Sequence, residues 1–379
     1  MSKIHITLVG GQPAPIYHGI VATNPDYVLY IYSAESQKVL DVLKQEIDLP
    51  SEFIELDATS PEKIRNCAQL LVERYIDDDV TVNITSGLKS WSHWFGVVFD
   101  KQPNASVIYM DQNNVMWNYR TMQPNRLFPF DLHSHFRLYG NSIENNYQPF
   151  ADYTEEDDEA LRKIEEIRRY NQSEFNDLLA VLDNKKQQIL KQSQCGKFEH
   201  PISQSYVEWE KTSADKYGFV RIYLTKKNIG KEVFFESPHA VGLAFNSGWF
   251  EYKVAKILST WDRCKELCMN CRFPFRQNID KNETDIIVNT GTKPLFVECK
   301  THIAKPTDID KFNSVIKHYG GMGSKGLFIT ESSMTEFTRR KCEEYGIMAF
   351  SFKDSHLGLS SEKALFLLLN TELDNINTK

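Results

Sequence analysis

Short apolar runs alternate with helical periodicity through the first 120 residues. Ile4–Val9, Tyr27–Tyr32, Phe53–Leu56, Val80–Ile84 and Ser106–Met110 read as strands, the first running into a Gly10-Gly11-Gln12-Pro13 loop. Ser36–Ile47, a stretch opened by Pro61 and reaching about Ile76, and Leu88–Phe99 carry the 3.6-residue period of helices. Strands alternating with helices of this length imply a parallel sheet covered on both faces. The pattern predicts a Rossmann-type α/β domain, with ligands beyond the C-terminal ends of its strands.

Residues 121–150, rich in Pro, Asn, aromatics and His, read as a connector. From Thr154 to about Gln194 the chain turns helical. Leu161, Ile164, Ile167, Leu178, Leu179 and Leu182 make an apolar stripe. That stripe fits a dimer seam, an interdomain strut or packing on its own domain. Residues 198–236 suggest short strands and turns. Beyond Gly248 the pattern is again α/β, with Trp249–Thr260 helical and alternation from Leu267 to Phe275. Asp285–Val288 and Leu295–Lys300 flank Asn289-Thr290-Gly291-Thr292, a hairpin signal. A helix to Tyr319, a strand Gly326–Thr330, a helix Met334–Tyr345 and a strand Met348–Phe352 complete a mixed sheet. The expected division is 1–125, a helical connector 126–240, and 241–379.

A length of 379 residues suits two domains. The longest apolar runs, such as Ala364–Leu369, fall far short of a membrane span. The N-terminus reads as a strand entering a loop rather than a leader. Seven unevenly scattered cysteines fit a reduced, cytoplasmic protein. The net charge of −7 argues mildly against a nucleic-acid partner. Its distribution reverses that argument. Residues 151–166 hold eight acidic and two basic residues, whereas 299–341 hold eight basic and four acidic.

That basic segment begins at the chemistry. Glu298 and Lys300, two apart on a strand, share one face. The hairpin brings Asp285 to that face, and Glu251 on the preceding helix can point there. Two carboxylates offer hard oxygen ligands to a divalent cation, and the Cys299 carbonyl offers another. Such a metal polarises a phosphoryl oxygen and acidifies a bound water. Lys300 can orient that water and stabilise the developing negative charge. The bland alternative is a solvated Glu–Lys pair. The apolar flank Leu295-Phe296-Val297 argues for a buried strand, where charged residues need a purpose.

The set resembles the PD-(D/E)xK restriction-endonuclease-like nucleases. Asp285 is followed by twelve residues and then Glu298-Cys299-Lys300, and Glu251 matches the acidic residue on their first core helix. Thr284 stands where the motif's Pro would be. The resemblance covers about residues 245–355. It implies Glu251, Asp285, Glu298 and Lys300 as catalytic residues. It also implies Mn²⁺ or Mg²⁺ held by Asp285, Glu298 and the Cys299 carbonyl.

In the first domain, Thr85-Ser86-Gly87-Leu88-Lys89-Ser90 joins a strand to a helix. Small residues, a helix N-terminus and a Lys suit a phosphate, and equally a plain helix cap. The spacing is not that of a Walker A loop, and Gly10-Gly11-Gln12-Pro13 is no dinucleotide fingerprint. An oxidoreductase therefore loses support. Asn83-Ile84-Thr85-Ser86-Gly87-Leu88-Lys89 resembles the strand-four motif of CARF domains, the CRISPR-associated Rossmann-fold sensors of cyclic oligoadenylates. The resemblance covers roughly residues 1–120. It implies a ligand face formed by Gly10, Gly11, Gln12, Thr85, Ser86, Gly87, Lys89 and, at the end of a later strand, Asp111.

The two halves together resemble the single-CARF ancillary nucleases of type III CRISPR systems. The resemblance implies a cytoplasmic homodimer that binds cyclic tetra-adenylate across its two-fold axis and then cleaves RNA or DNA. A non-catalytic sensor is the alternative, though no helix-turn-helix with a basic recognition helix is evident. Cys264, Cys268 and Cys271 have a cluster-like spacing, but alternation would put Cys268 and Cys271 on opposite faces. His133 and His135 fit a metal site or a polar connector. His302, His318, Lys305, Lys311 and Lys317 fit phosphate contacts or solvated surface.

Overall fold

A computed structural model describes residues 1–379 apart from 57–59, 112–113, 126–129, 144–145, 180–192, 228, 246, 276–280, 322, 357 and 375–379. Three sheets organise the described residues. The first contains β1 (Lys3–Leu8), β2 (Tyr27–Tyr32), β3 (Ser51–Glu55), β4 (Asp79–Asn83), β5 (Ala105–Met110), β6 (Met116–Asn118) and β7 (Gln123–Asn125), in the order β3-β2-β1-β4-β5-β6-β7. Its first five strands are parallel and its last two antiparallel. This is the Rossmann-like sheet expected from the sequence.

Nearly every β1 and β2 position is buried, including the polar His5 and Thr7 of β1, as a sheet covered on both faces requires. Helices Pro61–Arg74 and Lys89–Phe99 cover one face through Ile64, Leu71, Trp91, Phe95 and Phe99. Phe95 is fully buried, so its replacement by Ala would cost about 3–5 kcal/mol. Helices Pro13–Thr23 and Gln37–Glu46 cover the other face through Ile16, Ile20, Leu40 and Leu43. The sequence pattern places a loop at Gly10–Pro13 and predicts no element for the first of these. It starts on Pro13, the position at which a helix tolerates proline. Eight of its residues are buried, so no polar stripe betrays it.

The second sheet is antiparallel and follows order β12-β11-β10-β9, built from β9 (Cys195–Glu199), β10 (Tyr206–Glu210), β11 (Gly218–Lys226) and β12 (Ile229–Ser237). The helix Glu155–Tyr170 packs on it. Leu161, Ile164, Ile167 and Leu178 share one core with Val220, Ile222 and Val233. The apolar stripe therefore packs on its own chain. Leu182 lies outside the described residues. Acidic residues at both ends of this helix are paired: Asp157 with His239 and Asp158 with Lys256 at its start, Glu165 with Lys253 and Glu166 with Lys231 toward its end.

The third sheet is mixed and follows order β17-β16-β15-β14-β13-β8. It contains β8 (Gln148–Pro149), β13 (Glu266–Arg272), β14 (Glu283–Asn289), β15 (Pro294–Lys300), β16 (Lys325–Thr330) and β17 (Ile347–Ser351). β13, β14 and β15 are antiparallel neighbours, and β15, β16 and β17 run parallel. Helices Gly248–Ser259 and Pro306–Tyr319 lie on opposite faces, in separate apolar clusters. Alternation in β13 fails at Asn270, whose φ is +53°. Cys268 and Cys271 are in consequence buried in the same cluster with their thiols in contact, rather than on opposite faces.

A short helix, Leu132–Leu138, joins the first and third sheets. Arg137 forms a two-pronged pair with Glu46 at 2.7 and 3.0 Å. On the other side, the His135 imidazole meets the Gly320 carbonyl at 2.8 Å, and Phe136 packs on Phe273 and Phe296.

Candidate active site and ligand face

The β14–β15 hairpin assembles the acidic site. The strands pair from Ile286/Val297 to Asn289/Pro294. Beyond Ile286, the Asp285 carboxylate takes the place of a backbone partner, and the Cys299 N–H donates to its Oδ2 at 2.7 Å. Glu298 follows on β15, with its side chain 3% exposed. Lys300, on the same face, donates to Glu298 Oε1 at 2.5 Å. Glu251 stands in the first turn of helix Gly248–Ser259, within electrostatic reach of Asp285, Lys300 and Glu298. The four expected residues converge.

The electrostatics are those of crowded, buried carboxylates. Burial, then the charge of Asp285, raises Glu251 well above the ordinary carboxylate range. Burial and Glu298 push Asp285 up to about 6. Lys300 is buried too, but Glu298 and Asp285 outweigh that and raise it above its usual value. Such a cluster is costly without a cation. Its acceptors are hard carboxylate oxygens, the donor type that a divalent metal such as Mn²⁺ or Mg²⁺ takes. Asp285 and Glu298 would hold it. Cys299 meets the site through its N–H, which donates to Asp285, and its thiol, raised by burial, stays protonated.

One member of the site has no signature in the sequence. Lys281 donates to both Glu298 oxygens at 2.7 Å and lies 3.9 Å from Asp285 Oδ1. It precedes β14 and is outside the Glu-x-Lys pattern. The spacing to its partner, seventeen residues, has no period that reveals it.

A cleft of about 400 Å³ begins beside Lys300. Glu331 bonds the Lys300 carbonyl through its own N–H, and it lines the cleft with Arg168, Arg169, Gln172, Lys253 and Lys353. Arg168 grips Glu331 with two bonds of 2.7 and 2.6 Å and stacks 3.7 Å over Trp249. Of the other residues weighed, Lys305, Lys311 and His302 are exposed, Lys317 lies over Tyr345, and His318 bonds the Ser314 carbonyl. His133 turns to Glu266 and His135 to Gly320, so the two do not converge. Among the described residues no group of three His, Cys, Asp or Glu has metal-binding geometry; the acidic cluster is closed by lysines instead.

The expected ligand face gathers at the C-terminal ends of β1, β4 and β5. Gly10 packs against Gly87, and a Cβ on Gly10 would run into Gly87 N and lie 2.6 Å from Ser86 Oγ. Only glycine permits this approach. Gly87 itself has φ +79°. Buried Asn83 fixes the loop by accepting from Thr85 N and Thr85 Oγ1 at 3.1 and 2.5 Å. Thr85 Oγ1 in turn accepts from Met110 N at 2.7 Å, so Thr85 ties two strands together. Asp111 accepts from Val115 N and from Trp117 Nε1, bracing the β5–β6 turn. The outward-facing members are Gly11, Gln12 and Lys89, with Ser86 and Gly87 half-buried beside them. Gln12 meets the Tyr139 hydroxyl at 3.4 Å.

The turn of the β14–β15 hairpin touches the first domain. Asn114 donates to the Thr292 carbonyl at 2.6 Å. Lys293, 3% exposed, faces Asp111; burial, then Lys325, lowers it to about 8. Among the described residues no helix is long and apolar enough to cross a membrane.

No protein-family profile matches the chain, and no curated protein matches it. Solved structures do. Can2 from Sulfobacillus thermosulfidooxidans, in complex with cyclic tetra-adenylate, is 17% identical with a TM-score of 0.66; the match covers 98% of this chain and 97% of Can2. Protein VC1899 from Vibrio cholerae is 15% identical with a TM-score of 0.68, over 98% and 97%. A type III CRISPR defence DNA nuclease activated by cyclic oligoadenylate is 16% identical with a TM-score of 0.58, over 96% of this chain and 52% of its own. The chain therefore shares the fold of these proteins, a Rossmann-like parallel-sheet domain joined to a mixed α/β domain, as the sequence led us to expect.

Proposed function

We propose that the chain is a metal-dependent endonuclease of type III CRISPR antiviral defence, activated by cyclic tetra-adenylate. The observation that carries this reading is the convergence of Glu251, Asp285, Glu298 and Lys300 at one buried point of the hairpin. The fold shared along nearly the whole length of Can2 supports it. In this reading Mn²⁺ or Mg²⁺, held by Asp285 and Glu298, supplies Lewis acidity to the scissile phosphate. Asp285 is oriented by the Cys299 N–H, and Lys300 holds its ammonium where it meets negative charge developing on phosphorus. Glu251, whose hold on a proton is strengthened by burial and by Asp285, can exchange a proton with the attacking water. Substrate is single-stranded RNA or DNA, its backbone tracked by Lys253, Lys353 and Arg169 along the cleft.

The activator binds across the two-fold axis of a cytoplasmic homodimer, against Gly10, Gly11, Gln12, Ser86, Gly87 and Lys89. Each strand-end loop supplies backbone N–H groups to the phosphates, and Thr85 and Asp111 hold the loops in place. A two-fold ligand suits a two-fold dimer. The decisive experiment incubates purified protein with cyclic tetra-adenylate, Mn²⁺ and labelled single-stranded RNA, single-stranded DNA and duplex DNA. Ligand-dependent cleavage is expected. Binding of the activator with no cleavage under either metal would overturn the nuclease and leave a non-catalytic sensor.

A further inference from the structure

Lys281 occupies the place of a cation. Its ammonium bonds both oxygens of Glu298 at 2.7 Å and stands 3.9 Å from Asp285 Oδ1, between the two carboxylates that converge from β14 and β15. A divalent metal shared by these carboxylates needs the same oxygens at roughly 2.0–2.6 Å. Both cations cannot fit at one point. Charge leads to the same conclusion: a divalent metal set between these carboxylates would repel the Lys281 ammonium at this range. Without either cation, carboxylates this deeply buried repel one another and lose solvation.

We propose that Lys281 is a tethered stand-in for the metal: it holds Asp285 and Glu298 together while the site is metal-free, and it withdraws when metal binds. The inference rests on the metal-site reading given above. Lys300 differs in kind, since it approaches a single oxygen of Glu298 and belongs to the strand itself. Lys281 lies before β14 and is carried by the segment that pairs Asn282 with Phe273.

The test measures Mn²⁺ binding to the full chain, by calorimetry and by the electron-paramagnetic signal of free Mn²⁺, without activator or nucleic acid. Lys281→Met and the milder Lys281→Gln remove the competing charge; Lys281→Arg retains it; Asp285→Asn removes a ligand. Expected is Mn²⁺ binding about tenfold tighter in Lys281→Met and Lys281→Gln than in the wild type, and little changed in Lys281→Arg. The metal-free neutral variants should melt lower, and Mn²⁺ should raise their melting temperature more than it raises that of the wild type. Equal or weaker Mn²⁺ binding in both neutral variants would overturn the stand-in role. Absence of saturable binding in the wild type and the neutral variants alike would instead overturn the metal-site reading, and the inference with it.

Discussion

The backbone N–H of Cys299 donates to Asp285 Oδ2 at 2.7 Å, so the strand carrying Glu298 also aims the carboxylate of its neighbour. The two acids are thereby fixed relative to each other by one hairpin. Asp285→Asn keeps an acceptor for that N–H but loses the charge. Cleavage should fall by at least about 100-fold, with binding of cyclic tetra-adenylate intact. Glu298→Ala and Lys300→Ala should behave likewise. Cleavage within a few-fold of wild type in Asp285→Asn would remove Asp285 from the site.

The loop after β1 offers a paired comparison. A Cβ on Gly10 collides with Gly87, whereas one on Gly11 meets nothing within 4 Å. Gly10→Ala should force the two loops apart, lower stability and weaken activator binding. Gly11→Ala should leave the melting temperature unchanged, so weakened binding there would come from contact with the activator itself. Unchanged binding in both variants would place the ligand elsewhere.

Stability should fall in mild acid, for a reason that can be assigned. His18 and His135 stack against each other between the first and third sheets, with Phe130, Tyr139 and the Gly320 carbonyl around them. Burial lowers His18 to about 3 and His135 to about 4. Below the unfolded value of about 6.5 the unfolded chain takes up protons that the native state refuses. Their contribution is whole above pH 6.5 and is lost as pH falls toward 4. For His135 this loss reaches about 2 kcal/mol at pH 5. The raised Asp285 and Glu251 act in the opposite direction, so a variant isolates the imidazole. His135→Gln keeps a donor for Gly320 and should flatten the fall of melting temperature between pH 6.5 and 5. An unaltered slope would contradict the assignment.

Arg168 is 8% exposed at its side chain and Glu331 16%, and their two-pronged pair binds the helix Glu155–Tyr170 to the end of β16 beside Lys300. Arg168→Ala leaves a nearly buried carboxylate alone and strips the cation from Trp249. A loss of about 3–5 kcal/mol is expected in denaturant unfolding. Glu331→Gln, which retains an acceptor, should cost less. A loss below about 1 kcal/mol for Arg168→Ala would mean that the pair is solvated.

Much of this was legible in the chain. The parallel strands announce themselves because a sheet covered on both faces needs unbroken apolar runs, as in Tyr27–Tyr32. The acidic site was legible because Asp285, Glu298 and Lys300 lie on two strands joined by a short turn, where spacing dictates which side chains share a face. Contacts between distant segments left no such mark. Lys281 reaches Glu298 from outside the motif, and Tyr139 reaches Gln12 across 127 residues. The helix Pro13–Thr23 was hidden by its prolines and by the burial of eight of its eleven residues. Asn270 reversed the expected faces of β13 through one left-handed residue, which alternation cannot foresee.

The turn at Thr290–Lys293 has a consequence for how a signal would cross the molecule. Asn114 and Asp111 hold that turn from the first domain. Glu298 and Lys300 stand at the other end of the same strand, roughly 20 Å away at ~3.3 Å per residue. A strand in the middle of a sheet neither stretches nor bends easily. Under the function proposed above it acts as a push-rod: a displacement at the proposed ligand loops is carried to the acidic site along one unbroken covalent segment, Pro294–Lys300.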